Sequence, residues 1–334
     1  MRFKSIEQKN NALEYTSVMN RIAISLIAFT FLLNILFVLA IILETFVLEL
    51  NVIDEGSFVH TLLQCTLESI AYTLSFILPA FLFYLLSKNR HARRINFSFK
   101  LPGKIWLYML VALALTRVAS YLNSILVDWL TSPIYEDIPK VAMEPYELAL
   151  ALITGALVPA VSEEILFRGV IAENIKPYGK GVALIVSAVL FGFMHQNPNQ
   201  LLYTAVAGLT LAYIYLKTES LYGCMIFHFL NNAQATVSEY IYNTLSDESY
   251  YIFETVSMVL IVGGGAIALL ILILTQKSNS REEYCYFGVD KTESIDSAEK
   301  RINEVDALKG FFCIANIFFM VISALMMIYI ALIA

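Results

Sequence analysis

An all-α, polytopic bundle of about nine transmembrane helices, with its N-terminus in the cytoplasm, is the fold class this sequence predicts. Three observations carry that prediction. Of 334 residues, 58% are hydrophobic and 15% charged, with a mean hydropathy of +0.69, whereas soluble domains run nearer about a quarter charged. Apolar stretches recur close to the roughly 20 residues that one bilayer crossing needs. Lys and Arg gather in every second loop, as cytoplasmic loops do. The same composition excludes a disordered chain, a disulfide scaffold and a nucleic-acid binder. Cys65, Cys224 and Cys313 lie in apolar stretches and Cys285 in a polar one, so they form neither a disulfide ladder nor a CxxC pair.

The elements follow in order. A polar segment, 1–21, precedes an uncharged run at 22–43 that is too long for a signal-peptide core and reads as a retained helix. Further spans are expected at 61–87, 105–127, 147–173, 181–196, 200–216, 220–242, 251–275 and 310–333. The stretch 181–216 has no Asp, Glu, Lys or Arg. It is too long for one crossing, and Gln196-Asn197-Pro198-Asn199-Gln200 supplies a turn in its middle. Basic residues precede the first helix and fill the second, fourth and sixth loops, with Arg93, Lys176 and Lys217 among them. Asp54, Asp128, Glu144 and Asp247 mark the loops between. This alternation places the acidic loops outside. The polar segment 276–309 reads as a cytoplasmic linker with partial disorder or one short helix, which leaves the C-terminus outside.

Ionisable groups inside a span are costly and point to function. The fourth helix carries Glu163-Glu164 followed by Arg168, the fifth ends its apolar run at Phe191-Gly192-Phe193-Met194-His195, and the seventh carries His228 and Asn232. Counted from the nearest cytoplasmic base at about 1.5 Å per residue, Glu163, His195 and His228 fall at depths of roughly 16 to 22 Å, so one layer can hold all three. Glu164 and Arg168, four apart with the acid first, have the spacing of a helical ion pair. Glu163 points about 100° away from that pair, and burial can tune its carboxyl toward general-base work. His228 and Asn232 share a face and offer two donors to an oxyanion. Pro159 removes a helical hydrogen bond one turn before Glu163, where irregular backbone suits a wet cavity.

Other polar positions carry structural expectations. Arg117 lies at a similar depth and is expected to pair with Glu164. Glu44, Glu239 and Glu254 are expected to be solvated near the external headgroups. Ala205, Gly208 and Ala212 permit close helix packing. Gly263-Gly264-Gly265 serves either close packing or flexibility.

Glu163-Glu164 with Arg168, Phe191 with His195, and His228 with Asn232, in that order on successive spans, resemble the CPBP family of intramembrane proteases. That group includes the type II CAAX prenyl endopeptidases and the bacterial Abi-type proteins. The resemblance covers roughly 145–245. It implies a catalytic core of helices 4–7 there, flanked by helices 1–3 in 1–144 and by helix 8, the 276–309 linker and the last helix in 246–334. It further implies that Glu163 and His195 activate water, that His228 and Asn232 hold the oxyanion, and that Glu164 and Arg168 support them. The extra C-terminal span departs from the family's eight-helix core.

The expected activity is therefore hydrolysis of a peptide bond by activated water, with no covalent intermediate and no cofactor, in a cavity open to the cytoplasm. The expected substrate is a membrane-associated peptide or lipidated protein. One Glu and two His also make a familiar catalytic zinc set, so a zinc protease built from the same residues is the alternative within enzymes. A transporter with a proton relay or an immunity protein acting by binding is the alternative outside them. The expected location is a cell membrane, the bacterial plasma membrane first and the endoplasmic reticulum membrane for a eukaryotic chain.

Overall fold

Each predicted span coincides with a helix in the computed structural model, which describes residues 2–87, 92–98, 101–131, 140, 143–276 and 302–333. In chain order these are α1 (Arg2–Glu49), α2 (Phe58–Leu86), α3 (Ile105–Thr131) and α4 (Pro145–Tyr178). They continue as α5 (Lys180–Met194), α6 (Pro198–Thr218), α7 (Leu221–Thr244), α8 (Asp247–Gln276), α9 (Glu304–Phe311) and α10 (Ile314–Ile333). No strand occurs among the described residues. Among the described residues, six helices are long and apolar enough to cross a membrane, and α9 with α10, bent by 58°, makes a seventh crossing if the pair is one span. That count falls below nine for two reasons. With 15 residues, α5 is only about 22 Å long, and α7 spends its central positions on polar side chains.

Local chemistry explains the boundaries. Ser57 caps α2 by accepting from His60 N, and Ser220 caps α7 by accepting from Gly223 N, each satisfying an orphan donor of the first turn. Asn197 caps α6, with Pro198 at its first position, which is the break expected inside 181–216. The expected start of the first helix at 22 is corrected by twenty residues. Tyr15, Val18, Met19, Ile22, Leu26 and Phe29 are all buried, at the 3–4 residue spacing of a helical stripe. This amphipathic face carries α1 back through the polar N-terminal segment. The stretch 277–301 of the expected linker lies outside the described residues. Past it, Asn303 caps α9, whose Gly310 lies against the Tyr15 ring so closely that a Cβ would sit 2.4 Å from it.

Helix packing places the site. A hairpin of α5 and α6 packs on α4, α7 also lies along α4, and α2 packs on both α4 and α1, while α3 packs on α6 and α7 and α8 packs on α3 and α7. A Cβ on Gly208 would stand 2.9 Å from Phe191 Cβ and 3.1 Å from Ala188 Cα, so the expected close packing at Gly208 is that of α6 on α5. In the glycine triplet of α8, Gly265 alone meets a neighbour: its Cβ would fall 2.3 Å from Ala114 Cβ on α3.

Candidate active site

The helix that carries the two glutamates is irregular on both sides of them. In α4, Leu152–Leu157 and Ile165–Ala172 are wound as π-helix, and the seven residues between, Val158–Glu164, are α-helical with Pro159 near their start. Such wider turns concentrate at functional sites, because one extra residue per turn re-aims the side chains that follow. Pro159, where a disturbance is expected, lies in the α-helical piece itself, two residues past the end of the first π-helical segment.

Glu163 and Glu164 project into different surroundings. Glu164 is fully buried and its Oε1 accepts from Arg168 Nη1 at 3.1 Å and lies 2.8 Å from His228 Nδ1. Arg168, also fully buried, gives Nη2 to the Gly208 carbonyl at 3.0 Å and lies over the Phe191 ring at 4.7 Å. The expected Glu164–Arg168 pair is present, with an imidazole added to it. A carboxylate already bonded to arginine accepts from Nδ1–H, so the contact fixes the His228 ring and leaves Nε2 facing away from it. That Nε2 stands 3.9 Å from Glu163 Oε2, beyond direct hydrogen-bond reach.

Glu163 has no arginine. Its Oε1 accepts from the Tyr72 hydroxyl of α2 at 2.5 Å, and its buried Oε2 has no hydrogen-bond partner among the described residues. His195 follows the last residue of α5, in the C-cap position, and its Nδ1 lies 2.8 Å from the Phe191 carbonyl. That carbonyl can only accept, so Nδ1 carries the hydrogen and Nε2 offers a lone pair. Asn232 Nδ2 reaches toward the Gly155 carbonyl at 3.5 Å, and Asn231 bonds Thr116 at 3.0 Å. Glu163, His195, His228 and Asn232 line one cavity of about 330 Å³, together with Tyr72 and Tyr203. Among the described residues, no group of three or more His, Cys, Asp or Glu side chains is placed to hold a metal ion.

Three expectations need correction. Arg117 does not reach Glu164. It bonds Glu254 of α8 and, at 3.3 Å, Gln234 of α7, because the face of α3 that bears it packs on those helices. Glu254 is thus an ion-paired group that also accepts from Ser238, and Glu44 is bonded to His60 at 2.9 Å, so neither is simply solvated. The cavity does not widen toward the basic loops. Leu166 through Ile175 are buried without a break. Beyond them Glu173 is held by Arg93, Lys176 and Tyr215, which closes that end of α4. The lining residues Gly155, Thr236 and Glu239 lead the other way.

Tyr72 was not singled out by sequence reasoning. A tyrosine gives no sign of its partner, and in a span that also carries Gln64, Glu68, Ser69 and Ser75 nothing local marks Tyr72 out.

Comparison with known proteins agrees with the resemblance seen in the motifs. Residues 145–234 match the family model described as Type II CAAX prenyl endopeptidase Rce1-like. That segment contains every candidate site residue except Tyr72. The chain is also similar to a Bacillus subtilis (strain 168) protein named "Putative membrane peptidase YdiL", at 28% identity over 121 residues, which is 34% of this chain and 46% of that protein. The chain thus spans about half the length of the curated relative it matches. No solved structure matches it.

Proposed function

We propose that this protein is an intramembrane endopeptidase that hydrolyses a peptide bond with activated water. The observation that carries the reading is the convergence of Glu163, His195, His228 and Asn232, from three helices, on one cavity inside the segment matched by the Rce1-like model. In the proposed reaction a water lies between Glu163 Oε2 and His195 Nε2. Glu163 takes its proton, and the hydroxide adds to the scissile carbonyl carbon. The carbonyl oxygen becomes an oxyanion held by Asn232 Nδ2–H and by Nε2–H of His228 in its doubly protonated form, whose Nδ1–H stays on Glu164. Collapse breaks the C–N bond, and the proton on Glu163 passes to the leaving amine. Glu164 and Arg168 fix the His228 ring, and Tyr72 fixes the Glu163 carboxylate. These last three are positioning residues.

Membrane peptides compared by mass spectrometry between wild type and the Glu163→Gln and His195→Ala variants test this directly. Cleavage products should vanish in both variants while the protein inserts normally. Full biological effect retained by both would replace the enzyme with a binding module. The reaction is proposed without metal, because using His228 Nε2 as a ligand would remove an oxyanion donor. Metal analysis of purified protein with and without chelator tests this, and stoichiometric zinc lost together with activity would favour the zinc alternative.

A further inference from the structure

The cavity has a direction along the helices that line it, and that direction can be compared with the charge of the helix ends at either face. On α4 its lining runs from Glu163 back through Pro159 to Gly155, toward Pro145. On α7 it runs from His228 forward through Thr236 to Glu239, toward Thr244. On α6 it runs from Gln200 to Leu211, mostly in the half that starts at Pro198, and on α5 it uses Phe191 and the end at His195. All four are helix ends at one face. Phe58 at the start of α2 packs its ring on Tyr146 at 5.1 Å, and Lys140 bonds both Asp247 at 2.6 Å and the Leu245 carbonyl at 3.0 Å. A second cavity of about 950 Å³ lies between α3, α7 and α8 at this face, and it shares Ala235 and Glu239 with the first. Burial changes with the same polarity. On α7 the fully buried residues stop at His228, and from there to Thr244 none is buried.

This open face carries the acidic loops with Asp54, Glu55, Asp128, Glu144 and Asp247, while Arg93, Arg94, Lys104, Lys176, Lys180 and Lys217 sit at the closed one. Basic loops stay in the cytoplasm, since short Lys- and Arg-rich segments resist translocation. We infer that the active-site mouth opens on the extracytoplasmic face and that the substrate is a polypeptide segment presented from outside. This rests on the hydrolase reading for the word substrate, but its test reads access and not cleavage.

The test uses the full chain with its four cysteines replaced and one cysteine returned, Thr236→Cys in the mouth, Asp247→Cys on the acidic face or Lys217→Cys on the basic face. A membrane-impermeant maleimide is added to intact cells and to inverted membrane vesicles. Thr236→Cys and Asp247→Cys should be labelled in cells and lose labelling in inverted vesicles, with Lys217→Cys showing the reverse. Labelling of Thr236→Cys in inverted vesicles alone would overturn the inference, as would labelling of Lys217→Cys in intact cells. Glu239→Cys, at the exposed rim, decides the case if Thr236→Cys fails to insert or to react. Its resistance to the reagent in cells that label Asp247→Cys would also overturn the inference. Absence of any cleavage by the wild-type protein, with correct labelling of the cysteine variants, would instead count against the enzyme reading alone.

Discussion

Along α4 and α7 the same two helices build a sealed end and an open end, and the polar groups at the two ends differ in what they face: each glutamate leaves its buried Oε2 without a hydrogen-bond partner among the described residues, but Glu163 lines the cavity and Glu164 does not. At the sealed side Glu164, Arg168 and His228 bond one another inside a fully packed region. At the open side Glu163 has one oxygen held by Tyr72 and one free, with Asn232 and His195 on the same cavity wall. Breaking a buried ion pair is costly, while a buried oxygen with no protein partner that lines a cavity is a place for water or substrate. Two adjacent carboxylates therefore differ in surroundings: Glu164 is tied to Arg168 and His228 in the packed region, and Glu163 faces the cavity.

Substitutions at the two glutamates' surroundings separate these roles. Glu163→Gln keeps shape and the Tyr72 contact but removes the base, and kcat should fall by about 10²- to 10⁴-fold with an unchanged thermal transition in detergent. Arg168→Met acts in the opposite sense. It strands Glu164 in a fully buried site, which typically costs about 3–5 kcal/mol, so the thermal transition should drop sharply or the protein should fail to accumulate. If Arg168→Met were as stable as wild type, the sealed end would not be the structural half.

The sequence made this comparison partly legible. The (i, i+4) spacing announced the Glu164–Arg168 pair, and the apolar runs announced the helices, because both depend on local period. Contacts across helices were not announced. The pairing of Arg117 with Glu254 links α3 to α8 over 137 positions, and no local pattern encodes which helix faces which. The π-helical turns of α4 were half visible, since Pro159 marks strain but not how the backbone absorbs it. The direction of the cavity was not legible, because depth counted from a basic anchor says how far in a group lies and nothing of which side is packed solid.

Tyr72 sharpens the comparison from the open side. Its hydroxyl bonds the carboxylate oxygen that the proposed reaction does not use, so it orients Glu163 without touching substrate. A hydrogen bond to a charged group contributes about 1.5–3 kcal/mol, and Tyr72→Phe should lower kcat by about 10- to 100-fold while leaving KM and thermal stability close to wild type. A rise in KM at constant kcat would show instead that Tyr72 contacts substrate.

The smallest effect is expected at the outer edge of the sealed end, where Glu219 closes the turn between α6 and α7. Its carboxylate lies 2.9 Å from Lys176 Nζ, which also bonds Glu173. The hydrogen bond from Lys176 lowers its pKa below the usual glutamate value, against partial desolvation, and Lys176, Lys180 and Arg93 add their charges in the same direction. A carboxyl whose folded pKa is depressed favours the folded state most above its unfolded pKa, and it loses that contribution as pH falls through the lower folded value. Stability at this turn should therefore be flat near neutrality and decline on acidification below the ordinary glutamate range. Because the Glu219 side chain is 57% exposed, solvent screens the pair, and Glu219→Gln should cost well under about 1 kcal/mol. The difference between wild type and variant in thermal unfolding should shrink toward zero at acid pH. A difference that grew on acidification would mean that another group, not Glu219, titrates in the contact that ties the basic end shut.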